Sequence, residues 1–325
     1  MRGAVIALAA ALGGCGGGGN PPAGPDPAPS PSPGIGWAAA APMLEARQEV
    51  CVAAVGAQIY VAGGFRANGS TSAALDAYDT ASDRWSPLAP MPEALNHCTA
   101  ATVGSRVFVL GGARENGSAS GSTFEYDVAA NAWSMRAPMP SPRVAAMAAV
   151  IGTRIYVAGG TPGGRAFEVY ETATDSWAVL PPLPTARDHV AGGVLGGRIY
   201  AAGGRPPLTL AVMEVFDPAA GAWSTAAPMP TGRSGHAAAV VRGCLYAMGG
   251  EGNPARASGV FPQVESYDPR ANRWEALPPM PTPRHGIGAA VVGDRIWVPG
   301  GATVQGFGAV TTNEVFTPPA DRSCF

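Results

Sequence analysis

The chain has 325 residues, of which 46% are apolar and 14% charged, and its formal net charge is −2. All 21 basic residues are arginine, so chemistry that needs a lysine, such as a Schiff base or the phosphate-cradling lysine of a P-loop, is excluded. The near-neutral balance gives no footprint for nucleic acid, and 45 Gly with 33 Pro call for a turn-rich fold whose apolar share is too high for a wholly disordered chain.

Arg2 is followed by an apolar run from Ala4 to Leu12. That run is too short for a transmembrane helix, which needs about 20 residues. A basic start, a short apolar stretch and a small-residue end describe an export signal. The run ends Leu12-Gly13-Gly14-Cys15, which resembles the lipobox of bacterial lipoproteins. The resemblance implies cleavage before Cys15, lipid on Cys15 and a place in the cell envelope outside the cytoplasm, with Gly16 favouring the outer membrane. Residues 16–35, GGGGNPPAGPDPAPSPSPGI, cannot bury apolar surface and read as a tether, flexible first and polyproline-like later. The expected organisation is a signal peptide over 1–14, a tether over 15–35 and a folded body over 36–325.

The folded body repeats. Gly-Gly pairs fall at Gly63-Gly64, Gly111-Gly112, Gly159-Gly160, Gly203-Gly204, Gly249-Gly250 and Gly300-Gly301. Six of the seven tryptophans fall at Trp37, Trp85, Trp133, Trp177, Trp223 and Trp274, and both series advance by 48, 48, 44, 46 and 51 residues. Each unit has a small apolar run, a turn, and a β-rich run into Gly-Gly (QIYVAGG, RVFVLGG, RIYVAGG, RIYAAGG, CLYAMGG, RIWVPGG). A variable loop, an acidic-aromatic strand, a turn, a Trp strand and a Pro-rich stop follow. Short strands bounded by Gly and Pro, with no helical period, predict an all-β array. Four strands per unit, repeated six times, fit a propeller.

These motifs resemble the kelch repeat from Trp37 to the C-terminus, and the resemblance implies a six-bladed β-propeller. The first Trp strand precedes the first Gly-Gly, and only NEVF at 313–316 follows the last. The blades therefore balance only if the N-terminal strand completes the last one, which also removes an exposed sheet edge.

Most repeated residues read as frame. Gly-Gly supplies backbone angles closed to other residues, and the Trp fills the wide space between blades. The acids Asp76, Glu125, Glu168, Glu214, Glu265 and Glu314 recur once per unit, which suits buried acceptors better than a site needed once. The residue opening the innermost strand is Arg47, Arg143, Arg187, Arg233 and Arg284 in five units, and Leu95 in the second. On a propeller these arginines are expected to ring one mouth of the channel. Arg66, Arg114, Arg165, Arg205 and Arg256 join them from loops on the same face. A guanidinium fork matches carboxylate oxygens, so the ring is the candidate ligand-binding site. The alternative is that each Arg pairs with an acid of its own blade.

No catalytic residue, metal-ligand set or cofactor is assigned. No G-x-S-x-G, H-E-x-x-H or P-loop motif occurs. His97, His189, His236 and His285 stand two, two, three and one residues from the Arg position and are expected to point different ways. Cys51 and Cys98 read as small buried residues of inner strands. A bridge between Cys244 and Cys324 would pin the tail, although four cysteines allow three pairings.

The expected function is a lipid-tethered, monomeric binding module that presents its loop face to a protein, peptide or acidic glycan. It meets the membrane only through its lipid and binds no nucleic acid. The alternative is a mutarotase or epimerase resembling sialic-acid-processing kelch proteins, in which an Arg holds the carboxylate and Glu93, Glu251 or His236 moves a proton. A third reading is purely structural surface decoration.

Overall fold

The structure, a computed structural model, describes residues 36–205 and 207–324. The export signal, Cys15 and the tether lie outside these residues. Among the described residues there are no helices, and six four-stranded antiparallel sheets form a β-propeller.

Blade 1 runs through Cys51–Val55, Gln58–Ala62, Leu75–Asp79 and Arg84–Pro87, from the axis outward. Blade 2 uses Thr99–Val103, Arg106–Leu110, Thr123–Asp127 and Ala132–Arg136. Blade 3 uses Met147–Ile151, Arg154–Ala158, Phe167–Glu171 and Ser176–Val179. Blade 4 uses Ala191–Leu195, Arg198–Ala202, Met213–Asp217 and Ala222–Ala226. Blade 5 uses Ala237–Val241, Cys244–Met248, Val264–Asp268 and Arg273–Leu277. Blade 6 has Ala290–Val292, Arg295–Pro299 and Asn313–Thr317, and takes its outermost strand, Gly36–Ala39, from the other end of the folded body. That strand pairs from Gly36↔Thr317 to Ala39↔Glu314, with Trp37 packed 5.1 Å from Phe316. The expected closure is thus present.

Each of the six outermost-strand Trp side chains stitches its blade to the stop before it, while the seventh, Trp297, sits in the second strand of blade 6. Trp85, Trp133 and Trp177 donate to the carbonyls of Ala41, Ala89 and Ala137 at 2.8 Å. Trp223 and Trp274 donate to Pro181 and Ala227 at 2.9 Å, and Trp37 to Pro278 at 3.2 Å. Where the stop residue is Ala, its N–H needs a partner too. Asp83, Asn131, Asp175 and Asn272 accept from Ala41, Ala89, Ala137 and Ala227 at 2.7–2.9 Å. The same oxygen accepts from Tyr78, Tyr126, Tyr170 and Tyr267. Where the stop is Pro181, with no N–H to satisfy, the partner blade has Gly221 and Phe216 instead. The three positions change together because one hydrogen-bond set links them.

Both remaining cysteine pairs are bridged. Cys244–Cys324 holds the tail against blade 5, with Cα atoms 5.1 Å apart. Arg242 adds bonds to the carbonyls of Ala320 and Pro319 at 2.8 Å. Cys51 and Cys98 are buried, as the sequence suggests, and they are also bridged to each other, one of the pairings the sequence left open. They stand 47 residues apart, about one repeat, so neighbouring inner strands bring their Cα atoms to 5.6 Å, within bridging range.

Candidate functional site

The arginine ring is not a binding surface. The side chains of Arg47, Arg143, Arg187, Arg233 and Arg284 are all 0% exposed. Each pairs with the acid of its own blade: Arg47 with Asp76, Arg143 with Glu168, Arg187 with Glu214 at 2.9 Å, Arg233 with Glu265 at 2.8 Å and Arg284 with Glu314 at 2.7 Å. Several guanidiniums also donate to strand carbonyls, as Arg47 does to Gly63 at 2.8 Å and Arg233 to Ala247 at 3.0 Å. The expectation of a ligand-binding ring is therefore corrected, because these side chains run into the blade rather than toward the mouth. At Gly204, Gly250 and Gly301 the second Gly of the pair leaves room for that path: a Cβ on Gly204 would stand 3.3 Å from Arg187 Cβ and Cδ. The first Gly lets the neighbouring blade approach, since a Cβ on Gly159 would meet the Arg187 carbonyl at 2.8 Å. Burial pulls Arg187 down to about 10, against the opposing pull of Glu214, so it is still a cation at neutral pH.

Blade 2 solves the same problem differently. Leu95 brings no charge to Glu125. That carboxylate instead accepts from Arg106 at 2.6 Å and Arg136 at 2.8 Å, both partly exposed. The loop arginines are mostly paired as well: Arg66 with Glu45 at 2.8 Å, Arg114 with Glu93 at 2.5 Å, and Arg165 with the Leu183 carbonyl at 2.8 Å. Arg256 is exposed.

The mouth of the channel is built by a different position, two residues beyond the Arg position in every unit. Glu49, His97, Ala145, His189, Gly235 and Gly286 occupy it. All six have left-handed backbones, with φ between 50° and 59°. Their amides form a closed circle: Glu49 donates to Gly286, His97 to Glu49, Ala145 to His97, His189 to Ala145, Gly235 to His189 and Gly286 to Gly235, at 2.7–3.1 Å. Glycine adopts this conformation without strain, whereas Glu and His do so at a cost of order 1 kcal/mol each.

Three of these residues project functional groups at the axis. Glu49 Oε2 lies 3.5 Å from His97 Nε2. The His97 and His189 rings stand edge to face at 5.1 Å. A Cβ on Gly286 would meet Glu49 Oε1 at 2.6 Å, so that glycine provides the space the carboxylate fills. The two imidazoles are oriented alike. His97 Nδ1 donates to Asn96 Oδ1 at 2.6 Å, and Asn96 in turn donates to Thr71 Oγ1 at 2.9 Å. His189 Nδ1 donates to Asp188 Oδ1 at 2.6 Å, while Arg205 donates to its Nε2 at 3.2 Å. Arg205 also pairs with Glu251. His285 faces Glu49 and Glu251 with Nδ1 at 3.5 Å from each, its Nε2 donating to Val304 at 2.9 Å.

Electrostatics follow from this crowding. Burial works to raise Glu49, but His97, His189, His285 and Arg205 outweigh it and hold the carboxyl below its usual range. Burial chiefly lowers His97, with His189, Arg205 and His285 adding to it and Glu49 opposing. His236, by contrast, is wedged between blades. Burial, then Arg233 and Arg187, depress it to about 3. A His that resists protonation when folded contributes stability above its ordinary value near 6.5, and that contribution is lost as pH falls toward 3. Stability is therefore expected to drop by about 2 kcal/mol between pH 7 and pH 5 from this residue. His236→Val, which copies Val50 and Val190 of other blades, should flatten that part of the denaturation profile. An unchanged pH slope in the variant would show that His236 does not carry it.

An aromatic path leads from the rim to this cluster. Phe307 is 62% exposed. Its ring stands 5.3 Å from Phe65, and Phe65 stands 5.6 Å from His97. Gln48 fixes the loop that carries Phe307, donating to Gly306 at 2.6 Å and accepting from Gly308 at 2.9 Å. The depression at the axis has a volume of about 80 Å³ and is lined by Glu49, His97, His189 and His236 among others. It is large enough for an ion with a few waters, and it shares Val50, Cys98, Val190 and Ile287 with a second cavity lined by the inner strands.

The sequence names all four histidines together, and their offsets predict that they point different ways. The structure corrects this: the two that share offset two meet, His285 also faces Glu49 at 3.5 Å, and only His236 stands apart. Glu49 was missed as a site residue, yet it stands at the same offset from Arg47, so reading one offset across all six units would have found it. Of the proton-moving candidates, Glu251 is buried at the mouth. Glu93 is held by Arg114 and the Ser122 hydroxyl at 3.0 Å.

The comparisons agree with this architecture. The family described as the KLHDC2/KLHL20/DRC7 kelch-repeats domain matches residues 38–204 and 96–301. The kelch-like protein terF of Aspergillus terreus (strain NIH 2624 / FGSC A1156) is 36% identical over 73 residues, 22% of this chain and 16% of that protein. The matched stretch thus spans about a sixth of that relative's length. The solved structure of YjhT superposes with a TM-score of 0.74 at 16% identity, covering 87% of this chain and 97% of that one. At that identity the likeness concerns the fold.

Proposed function

The chain belongs to the kelch-repeat family, and from that premise we propose that it is a lipid-tethered binding module outside the cytoplasm that takes its ligand on the loop face at the axis. The observation that carries this reading is the aromatic path from exposed Phe307 through Phe65 to His97, ending beside Glu49. An exposed ring pair next to polar groups suits a ligand with one apolar face and several hydrogen-bonding groups. Acidic glycans and peptides with an aromatic or sugar-like face both meet that description. The tether would place the face clear of the membrane, with lipid on Cys15 as the anchor.

A glycan and peptide array probed with the folded body tests the reading. Phe307→Ala is expected to weaken the captured ligand at least about tenfold and to leave the thermal midpoint unchanged. Equal capture by wild type and Phe307→Ala would count against the face. Palmitate labelling of the full chain, lost in Cys15→Ser, tests the anchor separately.

A second reading has its own support. Glu251, buried beside Arg205 and facing His285, puts a carboxylate, a guanidinium and an imidazole around one corner of the mouth. That set can hold an acid and shuttle a proton, as a sugar-acid mutarotase needs. Faster interconversion of N-acetylneuraminate anomers, abolished in Glu251→Gln, would favour it.

A further inference from the structure

We propose that Glu49, His97 and His189 form a binding site for a first-row divalent transition-metal cation at the axial mouth. This goes beyond the ligand reading above and does not depend on it.

Two imidazole nitrogens and one carboxylate oxygen converge from three blades, with all ligand atoms within 4.8 Å of one another. The Glu49–His97 edge, at 3.5 Å, already matches the edge of about 3.4 Å that a tetrahedral set around zinc requires. Small side-chain rotations close the others. The hydrogen bonds also select the tautomer. His97 and His189 each spend their Nδ1 proton on the side chain that precedes them, Asn96 and Asp188. Both Nε2 atoms thereby present a lone pair, that of His97 unshared and that of His189 accepting from Arg205. Metal-bound histidines are held in this way, with the second nitrogen donating to an oxygen acceptor. Without a cation, the His97 lone pair faces a carboxylate oxygen, two acceptors with nothing between them.

Two further features belong to the same site. Arg205 places its guanidinium on His189 Nε2 at 3.2 Å, so a cation already sits at one ligand. Metal entry requires Arg205 to withdraw toward Glu251 and Asp188, with which it is also paired. The strained left-handed position offers a second argument. Blades 5 and 6 use Gly there, while blades 1, 2 and 4 carry Glu, His and His despite the strain. Three protein ligands leave the remaining positions open toward the mouth, the pattern of a site that exchanges water for a ligand oxygen. Imidazole with carboxylate suits zinc, iron(II), cobalt(II) or nickel(II) better than calcium or magnesium.

The test uses the untagged folded chain, stripped with chelator and titrated with Co²⁺ and Zn²⁺. One equivalent of Co²⁺ is expected to bind with the visible absorption of a low-symmetry site, and Zn²⁺ to displace it. His97→Ala and His189→Ala should abolish stoichiometric binding without lowering the metal-free thermal midpoint. Asn96→Ala should weaken it by roughly 10- to 100-fold, and Arg205→Ala should tighten it by about tenfold. If a variant fails to fold, the wild-type chain still decides: nitrogen NMR of the histidines should show two Nε2 signals moving with one equivalent of Zn²⁺. No stoichiometric binding by the wild type, or binding indifferent to both histidines, overturns the site. A His97 imidazolium ion-paired to Glu49 at neutral pH and unmoved by Zn²⁺ would do the same.

Discussion

Replacing Arg143 with Met is expected to cost about 3–5 kcal/mol of unfolding free energy, the largest single side-chain effect in the protein. The reason is the carboxylate left behind. Glu168 is 2% exposed and would retain only Ser141, which donates at 2.6 Å, as a side-chain partner. An isolated buried charge is far more costly than a missing attraction. Removing both charges with Arg143→Met and Glu168→Leu should therefore recover most of the loss, which is the coupling a double-mutant cycle reads once Glu168→Leu alone is also measured. Blade 2 provides an internal control. Its Glu125 has two partly exposed partners, so Arg106→Ala or Arg136→Ala alone should cost about 1 kcal/mol or less. Urea unfolding of these variants distinguishes the cases, and a loss below about 1 kcal/mol for Arg143→Met would show that burial of the pair is not what holds the blade.

Breaking the Cys244–Cys324 bridge is expected to have an effect of the same order. The bridge closes 80 residues, for which the chain-entropy estimate is about 4.5 kcal/mol. It also anchors residues that otherwise hold by few contacts: the Arg242 bonds to the tail and one surface pair, Arg322 with Glu275 at 2.8 Å. Cys324→Ser should lower the thermal midpoint, and reductant should lower the wild type further because it also opens Cys51–Cys98, a link of 47 residues between blades 1 and 2. Thiol titration after denaturation supplies the check that reduction occurred. A midpoint insensitive to reductant, with the thiols counted as free, would contradict a stabilising role.

The architecture was legible because it is repeated. Gly-Gly and Trp carry one set of intervals, and each does the same physical job six times, so no single position had to be interpreted. Ring closure was legible for the same reason: Trp37 precedes the first Gly-Gly, and no seventh Trp strand follows Asn313–Thr317. The site was not legible by that logic. A repeated Arg suggested a functional ring, yet repetition is the mark of frame, and its acids stood in every blade to receive it. What singles out the mouth is departure from the repeat. Glu49, His97 and His189 occupy a position where blades 5 and 6 have Gly, and Phe65 and Phe307 meet across loops far apart in sequence. The shared offset puts Glu49, His97 and His189 on one circle, but that their side chains meet depends on the left-handed, hydrogen-bonded backbone there, and the meeting of Phe65 with Phe307 has no counterpart in the spacing. The pairing of Cys51 with Cys98 stayed open for a related reason. Both cysteines looked like small residues of inner strands, which they are, but the distance between neighbouring inner strands is a property of the closed ring.

The account rests on the arginines after each Pro stop being frame while the rim arginines face solvent. Modification of the native protein with phenylglyoxal, mapped by peptide mass spectrometry, tests this without any ligand. Arg66, Arg114 and Arg256 are predicted to react in the folded protein, and Arg47, Arg143, Arg187, Arg233 and Arg284 only after denaturant is added. Rapid labelling of those five in the native state would contradict the account and return the ring to the surface.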